Sequence, residues 1–295
     1  MKMFKFLAAF AVFLGLVGCG LLGYGLRDAP GRSVKGLAGR ANSGQAEIAY
    51  YTNGPAKADT VVLLPSYGRT ASDFNELTVA LNRSGLRTIA IQPRGVGAST
   101  LPLRDITYHT FASDVVAVLD AIEQSEPVHI LGHAYGNRIA RTVASDYPER
   151  VAKVVLLAAG GVRSTPPETT ASISQALFRY ASEEDRRRAV HQAFFAKQSI
   201  VPESWIQGWY PLAGLAQARA MVRTPLKEWE SGGRAPILVL EPAEDAAAAG
   251  SGALLRSAHP DRVRVVMVKA AGHALLPERP DLVAREVIAF LREQR

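Results

Sequence analysis

From residue 45 onward, short apolar runs alternate with longer segments of helical periodicity. Thr60-Val61-Val62-Leu63-Leu64, Arg87 to Ile91, Val128 to Leu131, Val151 to Leu157, Ile237 to Leu240 and Val263 to Val268 are short and rich in β-branched residues. Runs of this kind predict strands, the first of them buried. Ser72 to Ser84, Tyr108 to Gln124 and Tyr135 to Asp146 read as helices, the second with Asp114, Val115, Val118 and Leu119 at helical spacing. Pro277 to Glu293 closes the chain as a further helix. Such alternation predicts βαβ units, and so an α/β fold with a mostly parallel central sheet and helices on both faces. The rhythm breaks between about 163 and 234, where helical stretches separated by prolines replace the strands. This insertion is predicted to form a helical lid over the sheet's carboxyl edge, where open α/β sheets bind ligands.

The first 44 residues follow a different pattern. Lys2 and Lys5 precede an uncharged apolar stretch, Phe6 to Leu26, which Arg27 and Asp28 end. A positive flank before an apolar run is an export pattern, because the cytoplasmic side retains Lys and Arg. Within it, Leu16-Val17-Gly18-Cys19 resembles a bacterial lipoprotein signal, which implies cleavage before Cys19 and lipidation of its thiol. The same 21 residues would also span a membrane uncleaved at about 1.5 Å per residue, or be removed as a plain secretory signal. The first two readings tether the chain to a bacterial membrane through its N-terminus, outside the cytoplasm. Residues 1–26 are then the signal or anchor. Residues 27–44, with Gly31, Gly36, Gly39 and Gly44, read as a flexible tether, and 45–295 as one domain.

Composition narrows the partners. The chain has 295 residues, 48% hydrophobic and 21% charged, which excludes a disordered protein. A single cysteine excludes an internal disulfide framework and a cysteine-rich zinc site. Lys plus Arg exceed Asp plus Glu by 34 to 27, and a surplus of +7 without a basic stripe argues against nucleic acid. Arg186-Arg187-Arg188 follows Glu183, Glu184 and Asp185 and reads as a solvated helix face. His109, His129, His191 and His259 lack metal-ligand spacing, and the chain has no Gly-rich phosphate loop. Neither a metal nor a cofactor is expected.

The candidate chemistry begins where Val128-His129-Ile130-Leu131 runs into Gly132-His133-Ala134-Tyr135-Gly136 and then a helix. Two glycines flanking a central residue permit a sharp strand-to-helix turn, the geometry of the G-x-S-x-G nucleophile elbow. Gln92-Pro93-Arg94-Gly95-Val96-Gly97-Ala98-Ser99, the segment Pro236 to Asp245, and Gly272-His273 with Glu278 and Pro280 stand in matching order around it. On these motifs the chain resembles the α/β-hydrolase family across about residues 45–293. The resemblance implies a triad acid at Asp245, a triad base at His273, and an oxyanion hole from the backbone N–H groups of Tyr67 and Tyr135. It also implies a hydrolase of esters, amides or related acyl compounds.

Ala134 occupies the position where the family carries its serine nucleophile, and alanine has no oxygen with which to form an acyl-enzyme. Pro65-Ser66 replaces the family's His-Gly, Gln92 an Asp, and Pro242 a Gly. These departures, with the intact leader, read as divergence rather than a single exchange made to trap a ligand. Three expectations stand: His273 oriented by Asp245 acts as general base, Ser66 supplies another nucleophile, or the scaffold is a non-catalytic module for a small ligand or partner. Trp205, Trp209 and Trp229 all fall in the insertion. An aromatic lid suits an apolar or amphiphilic small molecule, with Trp205 and Trp209 as the predicted substrate contacts. The competing expectation is that these rings bury the lid's own apolar face.

Overall fold

The computed structural model describes residues 25–100 and 105–293. Cys19 and residues 1–24 of the expected signal lie outside them. Eight strands form one sheet: β1 (Leu37–Ser43), β2 (Ala46–Asn53), β3 (Thr60–Leu64), β4 (Arg87–Ile91), β5 (Val128–His133), β6 (Val151–Leu157), β7 (Ile237–Pro242) and β8 (Val263–Val268). Their spatial order is β1-β2-β4-β3-β5-β6-β7-β8. β2 pairs antiparallel with β1 and β4, and every other neighbouring pair is parallel.

The helices that cover the sheet are α1 (Asn75–Arg83), α2 (Tyr108–Ala121) and α3 (Tyr135–Asp146), then α4 (Pro167–Leu177), α5 (Glu183–Phe194), α6 (Glu203–Ile206) and α7 (Pro211–Arg223). α8 (Ser251–Ala258), α9 (Leu275–Glu278) and α10 (Pro280–Arg292) follow. The continuous apolar run of β3 is explained by its two faces. Val62 and Leu64 pack among Val115, Leu119, Ile139 and Val143 of α2 and α3. Val61 and Leu63 pack among Leu77, Leu81, Val287 and Phe290 of α1 and α10. Side chains alternate along a strand, so a strand with a core on each side needs apolar residues at every position.

Some element ends follow local chemistry. α2 begins after Thr107, whose hydroxyl accepts the Thr110 N–H while the Thr110 hydroxyl accepts the Thr107 N–H. It stops at Ala121, short of the predicted Gln124, and Glu123 turns the chain with φ 56°. The predicted closing helix is two pieces, because Pro280 has no N–H to continue α9 and instead starts α10.

The expected flexible tether requires correction. Within 27–44, Leu37–Ser43 is edge strand β1, and Ala29 is buried and bridged to Trp209. Arg32 donates to both carboxylate oxygens of Glu76, at 2.6 and 3.0 Å. The sequence hid β1 because its side chains are mostly exposed; the strand is held by main-chain pairing to β2, which apolar periodicity does not register. β2 was likewise not anticipated.

Residues 163–234 contain α4 to α7 and no strand, as the proline-broken pattern predicted. Their core gathers Leu177, Val190, Phe194, Trp205, Ile206 and Trp209. Among the described residues, no helix is long and apolar enough to cross a membrane.

Candidate active site

Ala134 sits at the turn between β5 and α3 with φ 49° and ψ −107°. A non-glycine residue held there costs about 1–3 kcal/mol, so the surroundings must over-determine it. They do so through the main chain: the Ala134 N–H donates to Leu157 O at 2.9 Å, and Ala134 O accepts from the Asn137 N–H at 3.1 Å and from its side-chain amide. Gly136 is required by close approach. A Cβ on it would lie well under 3.0 Å from Leu64 O, where α3 begins against the end of β3. The elbow is therefore built in full around a methyl group.

His273 comes from the loop after β8. Its Nδ1–H donates to both carboxylate oxygens of Asp245, each at 3.0 Å, and both residues are buried. Asp245 Oδ1 also accepts the N–H groups of Ala247 at 2.8 Å and Ala248 at 2.9 Å. Burial raises the Asp245 carboxyl, but the charge and hydrogen bond of His273 and those two amides outweigh it and hold the group below its ordinary value. The pair is thus an ionised carboxylate fixing one tautomer of an imidazole, with Nε2 left for chemistry.

His133 lies directly beneath. Its Nε2–H donates to His273 O at 2.8 Å. Complete burial, then the nearby His273 charge, pushes His133 down to about 3, so it is neutral at pH 7. Glu278 anchors the same loop from the other side, accepting the N–H of Gly272 at 2.7 Å and of Ala196 at 2.8 Å.

Ala134 and His273 line one cavity of about 330 Å³, together with Ser66, Tyr67, Tyr135 and Arg138. The insertion contributes Ile173, Ser174, Phe194 and Met221 to the lining. Burial pushes the Tyr67 phenol up to about 12 and the Tyr135 phenol well above its ordinary value, so neither serves as a base at neutral pH. Tyr135 is the first residue of α3, and its N–H belongs to the helix end that has no intrahelical acceptor. The structure brings Ala134, Tyr67, Tyr135 and His273 to one cavity, with Asp245 hydrogen-bonded to His273.

Trp205 and Trp209 must be corrected. Neither lines this cavity; both are buried, and they enclose Arg69, whose Cζ lies 4.5 and 4.7 Å from the two ring centroids. Arg69 Nε and Nη2 donate to Asp73 at 2.9 and 2.6 Å, and Nη1 and Nη2 to the carbonyls of Gln207 and Ser204 at 2.6 and 3.0 Å. The rings therefore fasten the insertion to the loop after β3. Arg69 and Asp73 sit at i, i+4, the only sequence trace of this clamp.

His109 also has partners the sequence did not reveal. Its ring nitrogens lie 2.7 Å from Asp146 and 2.9 Å from Glu228, residues far away in the chain. Among the described residues, no group of His, Cys, Asp and Glu is arranged to hold a metal. Gln92, where the resemblance implied an Asp, accepts the Ala71 N–H at 3.0 Å and donates to Thr70 Oγ1 at 2.9 Å, tying β4 to the loop that carries Arg69.

The sequence model described as alpha/beta hydrolase fold matches residues 59–200. A non-heme chloroperoxidase of Streptomyces lividans is 35% identical over 112 residues, which cover 38% of this chain and 41% of that protein. A second non-heme chloroperoxidase, from Burkholderia pyrrocinia, is 32% identical and is also covered over 41% of its length. The chain thus spans about two-fifths of the length of these curated relatives. Among solved structures, a hydrolase from Pseudomonas aeruginosa PA01 superposes with a TM-score of 0.72 at 25% identity, covering 88% of this chain and 99% of the other. The enol-lactonase of Burkholderia xenovorans LB400 shares the fold with a TM-score of 0.73 at 22% identity, covering 86% and 100%.

Proposed function

For a chain that has the α/β-hydrolase fold, we propose that the cavity takes an ester, amide or related acyl compound and that His273 cleaves it with water. The carrying observation is the His273–Asp245 pair, braced by two backbone amides and placed on the cavity wall. Nε2 of His273 removes a proton from a bound water as its oxygen adds to the acyl carbonyl. The resulting oxyanion is met by the N–H groups of Tyr67 and Tyr135. The imidazolium, supported by Asp245, returns the proton to the leaving oxygen or nitrogen, releasing an acid and an alcohol or amine.

With a methyl at Ala134 no acyl-enzyme forms, and the rate rests on the base, the amides and binding. Where a serine triad has lost its nucleophile, about 10³–10⁴-fold acceleration over water remains from the oxyanion hole and binding alone, and general base action of His273 on water adds to it. Intact-mass measurement during turnover of p-nitrophenyl butyrate tests this route. The parent is expected to show no acyl adduct and no burst, whereas Ala134→Ser gains an adduct; an adduct on the parent, on Ser66 for instance, would overturn it.

A second reading is favoured by the same methyl group: the cavity binds its ligand without turnover, as a ligand- or partner-binding module. For the N-terminus we propose export and a membrane tether through lipidated Cys19 or an uncleaved 1–26 helix. Cys19→Ala should stall processing and leave the precursor mass under the lipoprotein route, and change neither mass nor membrane retention under the uncleaved route. Release of the unmodified chain into the soluble fraction would contradict both.

A further inference from the structure

Among the described residues lining the Ala134–His273 cavity, Arg138 is the only permanently charged one, and none is an Asp or Glu. It lies one helical turn beyond Ala134 on α3. Its Nη1 donates to the Tyr108 hydroxyl at 2.9 Å, while Nε is shielded from solvent with no hydrogen-bond partner. No carboxylate of the described residues lies within ion-pair distance of this guanidinium. Gly161 makes room for it: with φ 102°, a Cβ there would stand 2.7 Å from Arg138 Nε and 3.1 Å from Cζ.

Arg141 reinforces the charge from behind. It is buried, lies with its Cζ 4.4 Å from the Trp229 ring centroid, and donates to Asn137 Oδ1 at 2.6 Å, Gly160 O at 3.0 Å and Glu230 O at 3.1 Å. It too has neutral acceptors and no ion-pair partner among the described residues. α3 thus carries two cations one turn apart, and the one that lines the cavity, Arg138, shares that lining with apolar groups such as Ile173, Phe194 and Met221. Charges withdrawn from water are normally paired, and the planar fork of a guanidinium matches that of a carboxylate.

We propose that Arg138 anchors a carboxylate on the ligand, so that the cavity selects a singly charged, apolar-bodied acid or an acyl compound that bears a free carboxylate. The inference rests on the reading that this cavity is where the ligand sits, and it names the class of that ligand. A carboxylate fits better than a phosphate because one guanidinium on the wall answers one negative charge.

Calorimetric titration of the purified chain with octanoate, octanamide and octyl phosphate tests it. Octanoate should bind at least about tenfold more tightly than octanamide, since a charge-assisted fork replaces a neutral contact. Arg138→Met should bring the two to parity, and Arg138→Lys should keep part of the preference. Gly161→Ala, which displaces the guanidinium without removing it, should weaken octanoate as well; thermal melting identifies which variants are folded. The proposal falls if octanamide binds within twofold of octanoate, if octyl phosphate binds more tightly than octanoate, if none of the three binds, or if a folded Arg138→Met keeps the preference. Hydrolysis of the neutral ester p-nitrophenyl butyrate by the parent is read separately. Octanoate preference without turnover removes the cleavage reading and leaves the anchor, while turnover without that preference removes the anchor alone.

Discussion

Replacing Asp73 with alanine leaves the Arg69 guanidinium charged and enclosed by two indoles. The side chains of the pair are 0% and 4% exposed, so solvent does not reach in to compensate. Breaking a buried ion pair from one side typically costs about 3–5 kcal/mol, because the surviving charge stays desolvated. Here two carbonyls, Gln207 O and Ser204 O, and the faces of Trp205 and Trp209 still support the cation. That places the expected loss at the low end, about 3 kcal/mol. The double variant Arg69→Met/Asp73→Leu removes both charges and fills the space, and should cost less than Asp73→Ala alone, even though two carbonyls lose a donor. Equilibrium unfolding in urea, followed by far-UV circular dichroism and by tryptophan fluorescence, measures both. A loss below about 1 kcal/mol for Asp73→Ala, or a double variant as unstable as the sum of the singles, would refute the clamp.

Two further outcomes are expected. Gly136→Ala forces a Cβ into Leu64 O and should lower stability by about 3 kcal/mol or more, read as a fall in melting temperature; an unchanged melting temperature would mean that the elbow has slack. His133 stays neutral down to about pH 3 when folded, but takes up a proton near its ordinary value of about 6.5 when unfolded. Its contribution is therefore complete above that ordinary value and falls as pH drops toward 3, by about 1.4 kcal/mol per pH unit at most. The urea midpoint of the parent should consequently decline more steeply between pH 6.5 and 4 than that of His133→Gln; parallel declines would contradict the buried neutral imidazole.

The sheet was legible because burial on both faces writes itself as nearly continuous apolar runs, as in β3 and in β6, where Lys153 alone breaks the run, and the bounds of both match the sequence reading. The α3 bounds were equally legible, set by the glycine-flanked turn before them and by Tyr147-Pro148 after. β1 was not, since an exposed edge strand depends on backbone pairing that its side chains do not encode. At the site, Asp245 and His273 could be named from motif order alone, and their hydrogen bond brings them together. Trp205 and Trp209 misled because aromatic content marks burial without saying against what; their partner proved to be Arg69 rather than the cavity. Arg138 and Glu278 gain their meaning only from neighbours distant in sequence, Tyr108 and Gly161 for the first and Ala196 for the second.

The central claim is that the pair His273–Asp245 does the chemistry around a methyl group at the elbow. Steady-state hydrolysis of p-nitrophenyl butyrate by the parent and by His273→Ala, compared at equal folded concentration, tests it most directly. Slow turnover is expected of the parent, with a drop of about 10²–10⁴-fold in the variant, the range that general base catalysis supplies, down to the residual rate that the amides and binding sustain. Equal rates in the two proteins would contradict it.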